Sequence, residues 1–318
     1  MTADSPDDAS LVSVVITTYN RPSYLARAVE SVHGQTYDPL ELVVVDDCSD
    51  TPAESVLADL SVDLGRFHEV TCIRHEENRG ANAARNTGVR AASGEYVAFL
   101  DDDDRWRPEK TARQVEAFAA AGEETGVVYT GVVATHGEDR ETKTPPAVEG
   151  DLTKALLCRN VVGTLSAVMV RADLAEAVPL DEGFPSWADL EWYIRLSRRA
   201  AFARLPEPLV VYEFDSHNRL SSDFEKKLVA YERFVETFDE TAAAYGPLFR
   251  RKMRAWAAYR VGSTALYAGE YGHARRLLGT AVARYPFNGR FLQYFAATLG
   301  GRYSHGLARK AKRLARHT

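Results

Sequence analysis

Four consecutive carboxylates, Asp101-Asp102-Asp103-Asp104, follow the apolar run 96–100 and precede Arg105 and Trp106. Each ionised neighbour makes the next harder to ionise. A divalent cation removes that conflict, and hard carboxylate oxygens suit Mg²⁺ or Mn²⁺. A solvated acidic turn is the rival reading, and the cluster alone does not choose. A second acidic group, Asp46-Asp47-Cys48-Ser49-Asp50, ends the run 40–45, and Thr17-Thr18-Tyr19-Asn20-Arg21 ends the run 11–16. Asp47 can accept a hydrogen bond from an imide N–H, as uracil and thymine present, or cap a turn before Pro52. Tyr19 can stack on a base or simply pack, and Thr17 can support the same loop. Arg79 and Arg85 sit in a Gly/Asn-rich segment that opens a helix. Such a terminus favours anions, and arginine adds a forked phosphate donor. Their other role is to cap the acidic cluster. Asp189 and Glu191 lie between Trp187 and Trp192 at the start of a further helix. Lost hydration among aromatic rings raises a carboxylate pKa, as a general base requires. The helix dipole offers a purely structural reason for an acid there.

The elements that must position these groups follow from hydrophobic spacing. Near-continuous Val/Ile runs read as strands buried on both faces of a parallel sheet. Between the first two, residues 23–35 carry Leu25, Ala28, Val29 and Val32 at helical spacing. Alternating strand and helix give an α/β fold with a central, mostly parallel sheet. Ligands bind such sheets beyond the carboxyl ends of the strands. All three polar groups fall at those ends, so they should meet in one crevice.

With these residues in place the chain resembles family 2 glycosyltransferases of the GT-A fold. The resemblance rests on residues 14–21, 43–49, 77–88, 94–104 and 188–196, which occur in family order and cover roughly residues 11–215. It implies an inverting, metal-dependent transfer of one sugar from a nucleoside-diphosphate donor, a UDP-sugar or equally a dTDP-sugar, to a hydroxyl of a glycan acceptor. The Gln-x-x-Arg-Trp motif of processive members is absent. The resemblance assigns nucleotide contacts to Thr17, Tyr19, Arg21, Asp47, Arg79, Arg85, Asp101 and Asp102. It assigns metal binding to Asp103, with Asp101 and His217 as further ligands, and the base to Asp189, with Glu191 as its competitor. Family members carry an acid before the base, where this chain has Ala188. A nucleotidyltransferase is the alternative on a similar sheet, but the Gly-rich phosphate loop after its first strand is missing. A catalytically inactive glycan-binding or scaffold protein is the alternative from another class.

The 318 residues suffice for one α/β domain and an accessory region. The expected divisions are an acidic disordered segment 1–10, a catalytic domain 11–220, a helical region 221–301 and a basic amphipathic tail 302–318. Residues 262–288 resemble one tetratricopeptide-like hairpin. Residues 136–151 read as a hairpin tip or mobile loop on the acceptor side. Cys48, Cys72 and Cys158 have neither disulfide nor zinc spacing, so the chain reads as cytoplasmic. The net charge of −6 hides an asymmetry: residues 250–318 hold fifteen Lys/Arg and one acid, Glu270. Residues 302–318 hold six Lys/Arg, no acid, and Leu307, Ala311 and Leu314 at helical spacing. Just upstream, Phe291, Leu292, Tyr294, Phe295 and Leu299 read as an aromatic apolar patch. Such a basic amphipathic segment suits an anionic membrane surface, where a polyprenyl- or dolichyl-linked acceptor on the inner face of the cell membrane would be met. A solvated helix end that offsets the acidic domain explains the charge equally well. No interleaved aromatic–basic module suggests nucleic acid.

Overall fold

The computed structural model describes residues 9–136, 139–213 and 224–300. His217, the tail 302–318 and most of residues 1–10 lie outside them. Two compact units emerge. The first comprises residues up to Leu156, Asn160–Gly183 and Ala188–Asn218; the second comprises Leu157–Arg159, Phe184–Trp187 and the chain from Arg219.

The first unit opens β1 (Val12–Thr18), α1 (Pro22–His33), β2 (Leu40–Asp46), α2 (Ala53–Ala58), β3 (Glu69–Arg74), α3 (Ala81–Ala91) and β4 (Tyr96–Asp101). It continues β5 (Asp104–Trp106), α4 (Lys110–Ala121), β6 (Thr125–His136), β7 (Asp139–Lys143), α5 (Thr153–Leu156), β8 (Val168–Arg171), α6 (Ala172–Ala177), α7 (Ala188–Ser197) and β9 (Ala201–Glu213). One sheet runs β3-β2-β1-β4-β8-β6-β9-β5, with β7 paired to β6. The long ladders β3–β2, β2–β1, β1–β4 and β6–β9 are parallel. Shorter antiparallel ladders join β4 to β8, β8 to β6, β9 to β5 and β6 to β7.

Continuous apolar composition made β1, β2 and β4 legible because both faces of these strands are covered: every residue of β2 is buried. The one acid within that run, Glu41, is satisfied by the Ser13 hydroxyl and by the Ser93 amide and hydroxyl, both at 2.9 Å. Pro22 starts α1 where an N–H is dispensable, and Leu25, Ala28, Val29 and Val32 form its buried stripe. Helix α3 lies close on β1. A Cβ built on Gly88 would sit 2.3 Å from Val15 Cγ1, so only glycine admits this approach. Pro206 and Pro208 fall in β9 where its ladder with β6 shifts register, the place a sheet tolerates residues without an N–H.

The second unit contains α8 (Phe224–Ala243), α9 (Pro247–Ala268), α10 (Tyr271–Arg284) and α11 (Gly289–Leu299). Helices α9 and α10 form the hairpin within residues 262–288, packed through Ala265, Leu266, Ala274 and Leu278. The aromatic patch expected at α11 is divided. Phe291 is fully buried against Trp256 and Tyr259, while Leu292 and Leu299 remain exposed. Seven-residue spacing puts Leu292 and Leu299 on one side of the helix, and the hairpin takes the other. No helix among the described residues is long and apolar enough to cross a membrane.

Candidate active site

The parallel register sets the carboxyl ends of β2, β1 and β4 side by side. Thr17 pairs with Asp101 on one flank, and Thr18 with Asp46 on the other. The chain leaves β1 through Tyr19, which is 48% exposed, and Asn20, whose φ of 54° lies where asparagine is tolerated. The Asn20 amide donates to Ser49 Oγ (2.9 Å) and its Oδ1 accepts from the Asp50 amide (2.7 Å), tying this turn to the one after β2. Asp46 anchors the latter turn. It accepts from the amides of Ser49 (2.8 Å) and Ala53 (3.0 Å) and from Arg74 (3.4 Å). The turn-holding role weighed for Asp47 therefore belongs to its neighbour.

Asp47 is 3% exposed and faces the start of α3. Its Oδ1 accepts from the Arg79 amide (2.9 Å) and lies 2.8 Å from His75 Nδ1; its Oδ2 accepts from the Gly80 amide (2.8 Å). His75 Nε2 lies 3.0 Å from Thr87 Oγ1. Three of the roughly four acceptor positions of the carboxylate are thus used within the chain. That leaves about one acceptor position on Oδ2 for a base. His75 escaped the sequence reading, since no motif marks a histidine that braces an acid 28 residues away.

The acidic strand end is stitched to two arginines. Arg21 Nη1 lies 3.1 Å from Asp102 Oδ1 and 3.2 Å from Asp103 Oδ2, and Thr18 Oγ1 donates to Asp102 Oδ2 at 2.8 Å. Burial, with some help from Asp103, nonetheless lifts the Asp102 pKa to about 6 against Thr18 and Arg21. Ser166 Oγ accepts from the Asp101 amide (3.1 Å) and donates to Asp104 Oδ2 (2.6 Å), so both ends of the cluster share one hydroxyl. Arg85 Nη2 meets Asp101 Oδ1 at 2.5 Å, and Nη1 meets Asn82 Oδ1 at 3.2 Å. Burial opposes the Arg85 charge, but Asp101 and Asp189 more than offset it, and its pKa is raised. Arg85 thus meets the acidic cluster through Asp101. Arg79 stays 44% exposed, 3.6 Å from Glu182.

Helix α7 brings Asp189 into this field. Its Oδ2 accepts from Asn160 Nδ2 at 2.9 Å. The competing Glu191 is buried in a two-pronged pair with Arg195, at 2.5 and 2.8 Å. That pair occupies both oxygens of the Glu191 carboxylate. One turn beyond Asp189, the buried Tyr193 hydroxyl has no hydrogen-bond partner among the described residues. Burial, then Asp189 and Asp101, push its pKa well above the usual phenol value. Sequence reasoning missed Asn160, Ser166 and Tyr193.

No group of three or more His, Cys, Asp or Glu among the described residues forms a closed cation cage. The donor set fits a hard cation in another way. Mg²⁺ and Mn²⁺ are commonly held by one or two carboxylates together with substrate phosphates and water, and the partly exposed Asp101 and Asp103 carry such oxygens at the end of β4.

With the geometry in view, the likenesses of the chain are informative. It is 26% identical over 239 residues to an uncharacterized glycosyltransferase of Haemophilus influenzae, covering 72% of this chain and 79% of that one. It is 41% identical over 106 residues to the putative teichuronic acid biosynthesis glycosyltransferase TuaG of Bacillus subtilis, covering 33% of this chain and 41% of the other. Its structure resembles Staphylococcus aureus TarS residues 1–349 in complex with UDP-GlcNAc, with a TM-score of 0.65, 19% identity, and 94% and 92% of the two chains covered. It also resembles the mannosyltransferase PcManGT of Pyrobaculum calidifontis in complex with GDP-Man and Mn²⁺, with a TM-score of 0.57, 17% identity, and 96% and 88% covered. These two likenesses establish the GT-A fold. The profile of Glycosyl transferase family 2 matches residues 13–173, half of the chain, and takes in the ends of β1, β2 and β4. The nucleotidyltransferase alternative falls, and the chain belongs to glycosyl transferase family 2.

Proposed function

We propose that the crevice binds a nucleoside-diphosphate sugar together with Mn²⁺ or Mg²⁺, and that Asp189 is the base for single-sugar transfer with inversion. Asp189 accepts the proton of an acceptor hydroxyl. The freed oxygen lone pair forms the new bond to the anomeric carbon as the bond to the diphosphate oxygen breaks, and that electron pair leaves with the nucleoside diphosphate. When bound, the cation supplies Lewis-acid neutralisation of the departing diphosphate. Asp103 and Asp101 are its ligands in this reading, and Asp102 completes the acidic wall with Thr18 and Arg21. Tyr19 offers its exposed ring to the base, Thr17 supports the same turn, Asp47 offers its remaining acceptor position to an imide N–H, and Arg79 is the accessible phosphate donor.

The observation that supports this reading best is Arg85. It touches Asp101 and lies in the field of Asp189, so the acidic strand end and the α7 carboxylate belong to one electrostatic unit. An imide-reading Asp47 favours a UDP- or dTDP-sugar over GDP-mannose. The test is a thermal-shift panel of UDP-, dTDP- and GDP-sugars with Mn²⁺, since a ligand of the native state alone raises the melting point. A uridine- or thymidine-specific shift supports the reading, and a guanosine-specific shift overturns the base assignment.

The acceptor in this reading is a glycan on a polyprenyl or dolichyl carrier, reached from the cytoplasmic face of the membrane. Its support is the charge of residues 302–318 and the exposed Leu292 and Leu299. Each basic residue near an anionic bilayer contributes about 1 kcal/mol. Flotation with anionic and neutral liposomes, using the whole chain and a chain ending at Gly301, tests it. Equal, negligible flotation of both would contradict it.

A further inference from the structure

The carboxamide of Asn160 is fully committed. Its Oδ1 accepts the backbone N–H groups of Val162 (3.0 Å) and Gly163 (2.8 Å). Its Nδ2 donates to the Gly163 carbonyl (2.9 Å) and to Asp189 Oδ2 (2.9 Å). Two bonds accepted and two donated exhaust the capacity of an amide. The two backbone donors also fix which end is oxygen, because a flipped amide would turn its NH₂ against two N–H groups. Gly163 has φ +105°, a conformation that suits glycine, and there its own N–H and carbonyl both meet the same side chain. The loop therefore behaves as a small rigid bracket with one N–H aimed at Asp189. Other elements present Arg85 from α3, Asp101 from β4 and Tyr193 from α7 to the same field.

The geometry points to Asn160 as a positioning residue for Asp189, holding one carboxylate oxygen so that the base meets the acceptor hydroxyl in a single orientation. This rests on Asp189 being the base. The contact joins residues 29 apart in sequence.

Asn160→Asp keeps an oxygen for the Val162 and Gly163 amides but removes both N–H bonds, to the Gly163 carbonyl and to Asp189, and sets a second carboxylate beside Asp189. Misplaced catalytic groups cost up to about a hundredfold, so kcat should fall at least about tenfold. The UDP affinity measured with Mn²⁺ should stay close to that of the parent, and the melting point should fall only modestly, for the lost bond to the Gly163 carbonyl. Turnover equal to the parent would overturn the inference, and so would a kcat loss matched by weaker UDP binding and a lower melting point. Added to Asp189→Asn, the same change should cost no further rate, because both act through one group. A further, independent loss would overturn the positioning role. Full activity of Asp189→Asn alone would instead remove the base assignment, an outcome distinct from failure at Asn160.

Discussion

Asp102 at the end of β4 shares one guanidinium, that of Arg21, with Asp103. Asp239 on α8 takes four hydrogen bonds from two guanidinium groups, Arg250 and Arg254. Both acids are largely shielded from water, and both have arginine partners, yet they ionise in opposite directions. Burial lifts Asp102 to about 6. The bonds from Arg250 and then Arg254 drive Asp239 well below the usual carboxylate range. The largest contribution differs: lost hydration dominates at Asp102 and the guanidinium bonds dominate at Asp239, so a salt bridge alone does not fix the direction. In the helical unit an acid is saturated and acts as a pin. At the end of β4, Asp102 keeps a raised pKa despite Thr18 and Arg21, so a buried carboxylate there would gain from a further cation.

The largest effect expected is in the crevice. Asp189→Asn, nearly isosteric but unable to take a proton, should keep donor affinity and lose about a hundredfold or more in kcat. Glu191→Gln should leave most of the rate, because Arg195 already occupies that carboxylate; the reverse result would exchange the two roles.

The stability effects follow from the signs of the two shifts. Asp102 has a folded pKa above its unfolded value of about 4, so its ionisation costs stability as pH rises from 4 through 6. In EDTA, Asp102→Asn should therefore gain about 2 kcal/mol relative to the parent on going from pH 4 to pH 8. Asp239 has a depressed folded pKa, so its contribution is present above its unfolded value and is lost as pH falls below about 4. Asp239→Asn should lower stability at pH 7 by about 1–3 kcal/mol, a deficit that narrows in acid. Denaturant titrations at the two pH values check both. Shifts of the same sign would break the comparison. Asp239→Asn should leave the transferase rate of the folded enzyme nearly unchanged, the smallest effect of the set.

How far the sequence reached follows from the same physics. Strands β1, β2 and β4 were legible because burial on both faces forces continuous apolar runs, and the polar residues that end those runs mark the crevice. Helices α8 to α10 were legible from their periodicity and from the Gly246-Pro247 and Pro286 breaks. Partner choice was not legible. Nothing local states that Arg21 meets Asp102 across 81 residues, that Asp47 is braced by His75, or that Asn160 reaches Asp189. The misjudged aromatic patch has a similar cause. Periodicity says that Phe291 and Leu292 lie on different sides of α11, but not which side a neighbouring helix will cover.

The central claim is that the carboxylates of Asp101 to Asp104 hold a cation shared with a nucleoside diphosphate. Isothermal titration of UDP into the parent and into Asp103→Ala, each with Mn²⁺ and with EDTA, tests it most directly. The account predicts tight binding only for the parent with Mn²⁺, and the same weak binding for Asp103→Ala in both buffers, with unchanged melting points. Equal Mn²⁺-dependent affinity for the two proteins would contradict it.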